Sequence, residues 1–209
     1  RQVFQSEKHS SPYMEKYVGE ALYMMRLPDD AIARIKERFK DMTDHHYTTL
    51  WEDWRIGGSG GGTINHAWSG GALTLLSQYG AGVAPTEPGY KTYHVLPQMG
   101  PLKIIKTVIP SVRGDIQLEL FNRPDTFIMN LTSLPATEAV IGIPKSNRKI
   151  TGIVANETPV WCNGKRTNEM VGLTFLEETD HYIKFSVKPG SWHFKAKKDA
   201  PNNNIHGTQ

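Results

Sequence analysis

The feature that most constrains what this chain can fold into is a change of hydrophobic period near Tyr93. Upstream, apolar residues recur at helical spacing. Tyr13, Met14, Tyr17, Val18, Ala21, Leu22 and Met25 predict a helix that buries one broad face, with Ser11 as its cap and Pro12 at its first position. Leu27-Pro28 ends that helix, and Asp29 caps a second one reaching about Met42, with a narrower stripe of Ile32, Ile35, Phe39 and Met42. Asn65 caps a third helix through about Tyr79. Its apolar residues Ala67, Trp68, Ala72, Leu73, Leu75 and Leu76 occupy more than one side, as in a helix buried among others. Gly80 and Gly82 supply its stop. Downstream, the alternating segments Lys103–Val108 and Ile116–Leu120 flank a turn at Arg113-Gly114 and read as a hairpin. Further strands are expected at Thr126–Thr132, Glu138–Ile143, Lys149–Val154, Pro159–Cys162, Leu173–Leu176, His181–Val187 and Ser191–Ala196. Short strands at this spacing predict an antiparallel β-sandwich. Arg1 to His9 reads as an extended lead-in, and residues 197–209 as a disordered polar tail with three consecutive asparagines.

Composition narrows the classes. Apolar content of 38% and a formal charge of +3 are ordinary for a globular protein. The basic residues are scattered, with no stripe for a nucleic-acid partner. No apolar run is long enough to span a bilayer as a helix. The lone Cys162 excludes an internal disulfide and a cysteine-based zinc cluster. His45-His46 lacks the spacing of a helical metal pair, so neither a metal nor another cofactor is expected. The chain opens on Arg1 rather than Met, as a fragment or processed piece would.

The candidate chemistry lies between Thr48 and Gly82. Here Glu52, His66 and the tryptophans Trp51, Trp54 and Trp68 are separated only by the glycine-rich stretch Gly57–Gly62. A carboxylate beside flat aromatic surfaces suits a sugar site: apolar sugar faces lie on rings, and the carboxylate handles a hydroxyl or a water. Glu52 is the candidate catalytic residue, and His66, Trp51 and Trp54 are the candidate substrate contacts. Trp68, inside an apolar helix, is assigned to the core. Asp53 matches nothing as specific. Gly57-Gly58-Ser59-Gly60-Gly61 formally fits a nucleophile elbow but lacks the strand before it and the helix after it. Asn130-Leu131-Thr132 and Asn156-Glu157-Thr158 are glycosylation sequons only in a eukaryotic source.

Thr49-Leu50-Trp51-Glu52, Asn65-His66 opening an apolar helix, and Pro88-Gly89-Tyr90 leading into strands together resemble the C-terminal part of the bacterial α-L-rhamnosidases, glycoside hydrolase family 78. The similarity runs from Ser11 to about Phe194 and is strongest between Thr48 and Lys91. It implies the last helices of an (α/α)6 six-hairpin barrel over residues 1–92, followed by a β-sandwich over residues 93–196. It further implies that Glu52 resembles the general base of an inverting hydrolysis and that His66 lines the sugar site. At a helix N-terminus the neutral imidazole would be favoured. The short glycine-rich connection departs from relatives that carry a longer insert there. The implied partners are a rhamnose-containing glycoside, the upstream barrel segment that supplies the general acid, or a second copy of the chain as a homodimer. The resemblance favours a periplasmic or extracellular bacterial enzyme.

Two alternatives stand beside this reading. One is another helical-barrel glycosidase with a different sugar preference. The other is a non-catalytic module in which Trp161, Trp192, Tyr182 and Phe194 form a sugar-binding face on the sandwich. Exposure of Trp161 and Trp192 on one flat face discriminates between them.

Overall fold

The alternation that begins at Tyr93 becomes two β-sheets. The structure, a computed structural model, describes residues 2–56, 62–146 and 148–200. By contacts the chain divides into a helical unit, Arg1–Gly80 with Gln98–Pro101, and a β unit, Ala81–Pro97 with Leu102–Gln209.

In the helical unit, α1 spans Gln2–Ser6, α2 Glu15–Met24, α3 Pro28–Asp44 and α4 Gly71–Leu75. The expected extended lead-in is thus a short helix. Ser11 begins a turn, its Oγ accepting from Met14 N at 3.4 Å, before α2 becomes regular at Glu15. Pro28 opens α3 instead of closing α2, because a proline at the first helical position gives up an N–H that has no partner there. Asp29 and Asp30 then fall in the first turn, and Leu27 precedes the helix without a side-chain cap. The third expected helix is broken into a 3-10 turn at Ala67–Gly70, α4, and a π turn at Leu76–Gly80. Asn65 does not cap it; the extended residue before the 3-10 turn is His66, with no capping side chain.

The buried face of α2 is only in part the predicted one, with Leu22 buried and Val18 and Ala21 partly so. Glu15, Gly19, Leu22 and Tyr23 are buried, whereas Tyr13, Met14, Tyr17 and Met25 stay exposed. Gly19 permits this: a Cβ there would lie 2.3 Å from Leu75 Cδ1, and one at Gly71 would lie 2.6 Å from Lys16 Cβ. Close approach of α2 and α4 therefore depends on two glycines. The α3 stripe is as expected, with Ile32, Phe39 and Met42 buried and Ile35 partly so. Between α2 and α3 sits an ion cluster. Glu15 Oε1 and Oε2 accept from Arg34 Nη2 and Nε at 2.8 Å each, and Arg38 Nε donates to Oε1 at 3.0 Å. Burial pulls the Glu15 carboxyl up, but hydrogen bonds from Arg34 and Ser10 and the charges of Arg34 and Arg38 together hold it below the usual range.

In the β unit the strands are β1 Val83–Pro85, β2 Thr92–Val95, β3 Ile104–Ser111, β4 Gly114–Asn122, β5 Thr126–Ser133, β6 Glu138–Pro144, β7 Ile150–Ala155, β8 Thr158–Cys162, β9 Lys165–Arg166, β10 Leu173–Glu178, β11 Tyr182–Val187 and β12 Gly190–Lys198. They form a five-stranded sheet, β1-β2-β6-β11-β10, and a seven-stranded sheet, β3-β4-β5-β12-β7-β8-β9. All pairs are antiparallel except β2 with β6. Strict alternation on β5 and β12 sends Phe127, Met129, Leu131, Trp192, Phe194 and Ala196 inward. Phe185 of the first sheet meets Phe194 of the second at 6.1 Å between ring centroids, and Tyr93 Oη donates to Ser133 Oγ across the sheets at 2.9 Å. The sandwich reading holds. The edge strand β3 is an exception to inward packing, with Ile104 and Val108 exposed. The sugar-binding face on this unit is overturned: Trp161, Trp192, Tyr182 and Phe194 are all buried. Strand β12 continues through Lys198, and residues 201–209 of the expected tail lie outside the described residues.

Candidate functional site

The segment around Glu52 is held by backbone pairing, not by regular secondary structure. Glu52 N donates to Thr63 O at 2.9 Å and His66 N to Leu50 O at 2.8 Å, so the two halves of the motif lie side by side. Thr49 Oγ1 donates to Ile64 O and Ser69 Oγ to Trp51 O, tying both ends of the pairing. Gly62 eases the close approach, because a Cβ there would stand 2.6 Å from Asp53 Oδ2 and 3.3 Å from Glu52 Cβ. The Gly57–Gly61 stretch that formally fits a nucleophile elbow lies outside the described residues.

The pairing brings Glu52 and His66 together. Glu52 Oε2 accepts from Thr63 N at 2.9 Å and from Thr63 Oγ1 at 3.3 Å, and it stands 3.6 Å from His66 Nδ1. The carboxyl is held below its ordinary range. The Thr63 backbone N–H is the main cause, with His66 and the Thr63 hydroxyl adding to it against a smaller opposing effect of burial. Both side chains remain about one-third exposed, at 30% for Glu52 and 33% for His66. The group is therefore an ionised, solvent-reachable carboxylate: able to accept a proton from a bound water, and unsuited to donating one near neutral pH. His66 precedes only a four-residue 3-10 turn, so its setting comes from Thr63 and not from a helix dipole.

The tryptophans differ in exposure from what the sequence predicts. Trp51 is 4% exposed and forms a core cluster with Phe39 and Met42, which removes it as a sugar platform. Trp54 is half-buried. It donates from Nε1 to Ser10 O at 2.7 Å, lies edge-on to Phe39 at 5.2 Å and has the Arg38 guanidinium over its ring at 4.2 Å, so one face of the ring is already covered. Trp68, expected in the core, is 41% exposed. Its ring lies 4.2 Å from that of His66 and 5.4 Å from that of Tyr13, and Tyr13 in turn contacts Tyr17 at 5.8 Å. An aromatic strip thus starts at the Glu52–His66 pair. The signal for Trp68 was available in principle: a tryptophan two residues after a site histidine stays near it in any compact turn. A nearby hollow of about 430 Å³ is walled by Asp41, Asp44, His45, Trp51, Trp54, Arg55 and Ile56, without Glu52 or His66. Among the described residues no group of three metal-ligating side chains converges, and no helix is long and apolar enough to cross a membrane.

Residues 82–157 match the family described as the bacterial α-L-rhamnosidase C-terminal domain. Solved structures agree on the fold. The α-L-rhamnosidase of Dictyoglumus thermophilum superposes with a TM-score of 0.76 at 22% identity, over 90% of this chain and 21% of that one. The Streptomyces avermitilis α-L-rhamnosidase complexed with L-rhamnose gives a TM-score of 0.68 at 21% identity, over 88% of this chain and 17% of that one. The Aspergillus terreus enzyme gives 0.55 at 19% identity over 62% of this chain. No curated protein matches the sequence significantly. The fold class is thus that of a two-sheet β-sandwich preceded by helices. More particularly, the match to the bacterial α-L-rhamnosidase C-terminal domain falls on residues 82–157, within the β unit, and the chain spans about a fifth of the solved α-L-rhamnosidases it resembles.

Proposed function

We propose that this chain is the C-terminal portion of an inverting glycoside hydrolase acting on terminal α-L-rhamnosides, and that Glu52 is its general base. The observation that carries the reading is the state of Glu52: an accessible carboxylate held ionised by the Thr63 N–H, beside His66 and the exposed Trp68 ring. Inverting hydrolysis needs such a carboxylate to take a proton from water on one sugar face and a second, protonated carboxyl on the other. The second carboxyl belongs to the upstream part of an (α/α)6 barrel, whose last helices are the helical unit here. Exposed Tyr17, Met24, Met25 and Leu73 support this, as surface that further helices would cover. His66 contacts sugar hydroxyls, and Trp68 takes the platform role first expected of Trp51 and Trp54.

The test is Glu52→Gln in the complete polypeptide, assayed on an aryl α-L-rhamnoside beside a panel of other aryl glycosides. Glutamine keeps the shape but cannot accept water's proton, so turnover should fall by about 10²–10⁴ with substrate affinity largely kept. Turnover within a few-fold of the parent would remove Glu52 as the base. Preference for another glycoside in the panel would keep the mechanism and change the sugar.

A further inference from the structure

The hydroxyl of Thr63 stands between the two site side chains. Its Oγ1 lies 2.9 Å from His66 Nδ1 and 3.3 Å from Glu52 Oε2, and the backbone N–H of the same residue donates to that carboxylate oxygen at 2.9 Å. A hydroxyl has one proton to give and lone pairs to receive. Two arrangements satisfy the distances. In one, Thr63 donates to Nδ1 and leaves the carboxylate without its hydroxyl proton. In the other, Nδ1–H donates to Thr63 Oγ1, and Thr63 O–H donates on to Glu52.

Charge decides between them. The Glu52 carboxylate is held ionised and accepts only, and its Oε2 is 3.6 Å from Nδ1. An unprotonated Nδ1 would turn its lone pair toward that anionic oxygen, whereas Nδ1–H turns a positive end toward it. We infer that Thr63 is a positioning residue that fixes His66 as the Nδ1–H tautomer, so that Nε2 faces the site as a hydrogen-bond acceptor. Nε2 makes no hydrogen bond among the described residues, and it is free to receive the O–H of a ligand hydroxyl. The site then reads its ligand by complementary polarity: His66 accepts from a hydroxyl donor, and Glu52 accepts from water. This rests on the reading of the segment as a polyol site, but the proton positions are a property of the chain itself.

The experiment is nitrogen-15 NMR of the imidazoles in the 209-residue chain, at a pH where His66 is neutral, for the parent, Thr63→Val and Thr63→Ser. The parent should show a pyrrole-type Nδ1 and a pyridine-type Nε2. Valine, which fills the same volume without a hydroxyl, removes the relay and leaves Nδ1 only the 3.6 Å approach to Oε2, too long for a hydrogen bond, so part of the ring population should shift toward the Nε2–H tautomer, and serine should restore the parent pattern. Because Thr63 is exposed, the dispersed spectrum of the rest of the chain should be unchanged in all three. An Nε2–H tautomer in the parent would overturn the inference, as would an unchanged Nδ1–H tautomer in Thr63→Val. Since no turnover is read, rejection of Glu52 as the general base in the complete enzyme would leave this result standing.

Discussion

The two units treat their apolar side chains in opposite ways. In the β unit the large residues that alternate inward are consumed: Ile116, Leu118, Leu120, Phe127, Met129, Leu131, Phe185 and Phe194 are all buried. In the helical unit, Tyr13, Met14, Tyr17, Met24, Met25, Trp68 and Leu73 stay exposed, reaching 72% at Met24 and 70% at Leu73. It buries fewer large side chains, among them Leu22, Tyr23, Ile32 and Leu75, together with a small cluster of Phe39, Met42 and Trp51 and an ion-paired Glu15. A sandwich closes its core between its own two sheets, and a few helices cannot. The difference teaches where further contacts can form: the β unit buries its inward side chains between its own two sheets, and the helical unit leaves an exposed apolar surface beside the candidate carboxylate Glu52.

The largest stability effect should come from the middle of the sandwich. Phe194 is buried between β5 and β7 and contacts the rings of Phe185 and Trp192. Phe194→Ala should destabilise the β unit by about 3–5 kcal/mol, from lost transfer energy and the cavity left behind. Chemical denaturation followed by the NMR amide signals of the β strands and by helix-sensitive circular dichroism would then separate the two units, only the first shifting. Coincident shifts of both signals would break the comparison, because the helical unit would then depend on the sandwich core for its own stability.

In the helical unit the corresponding anchor is polar. Arg34→Ala removes the bidentate partner of Glu15 and should cost about 3 kcal/mol, the lower end of what breaking a buried pair costs, because Arg38 still pairs with the carboxylate. The pH dependence has a definite sign. The folded carboxyl of Glu15 lies below its unfolded value, so its stabilisation is complete above the ordinary carboxylate range and is lost as pH falls through that range toward the folded value. An acid titration of the helical signal should show this loss in the parent and a weaker one in Arg34→Ala. An identical acid transition in both would mean that the cluster does not control the unit.

How much of this was legible beforehand follows the same division. Alternation on β4, β5, β6, β11 and β12 predicted the strands to within two or three residues, because an inward side chain at every second position is a local signal. The parallel pairing of β2 with β6 was not visible, since pairing is set by long-range register. On the helical side the local signals misled. Pro28 read as a stop although it starts α3, and Tyr13, Met14, Tyr17 and Met25 read as core although they are exposed. An amphipathic stripe marks a face that some partner covers; it does not say that the partner is in the same chain. The Glu15–Arg34–Arg38 cluster joins residues 19 and 23 positions apart, which no period reveals. Glu52 and His66 were legible as site candidates and are brought together. Thr63, which links them, carried no signal, because a threonine after a glycine run is indistinguishable from loop polarity.

The smallest stability effect belongs to the residue whose assignment changed most. Trp68 is 41% exposed, and its ring contacts are with His66 and Tyr13, themselves at the surface or half-buried. Trp68→Ala should therefore shift stability by no more than about 0.5 kcal/mol, as for a surface position. Trp51→Ala, which empties a site beside Phe39 and Met42, should cost about 3–5 kcal/mol. In the complete enzyme the order reverses in the kinetics. On the proposed platform role of Trp68, removing its ring should raise KM, with a smaller change in kcat, because the ring would support ground state and transition state alike. Thermal denaturation of the two variants, set beside their KM and kcat, checks both halves of the claim. If Trp68→Ala unfolds the helical unit as readily as Trp51→Ala, Trp68 is packed in solution and the aromatic strip is core. If it leaves both stability and KM unchanged, the exposed ring serves neither packing nor substrate, and the sugar platform must be sought on the upstream helices.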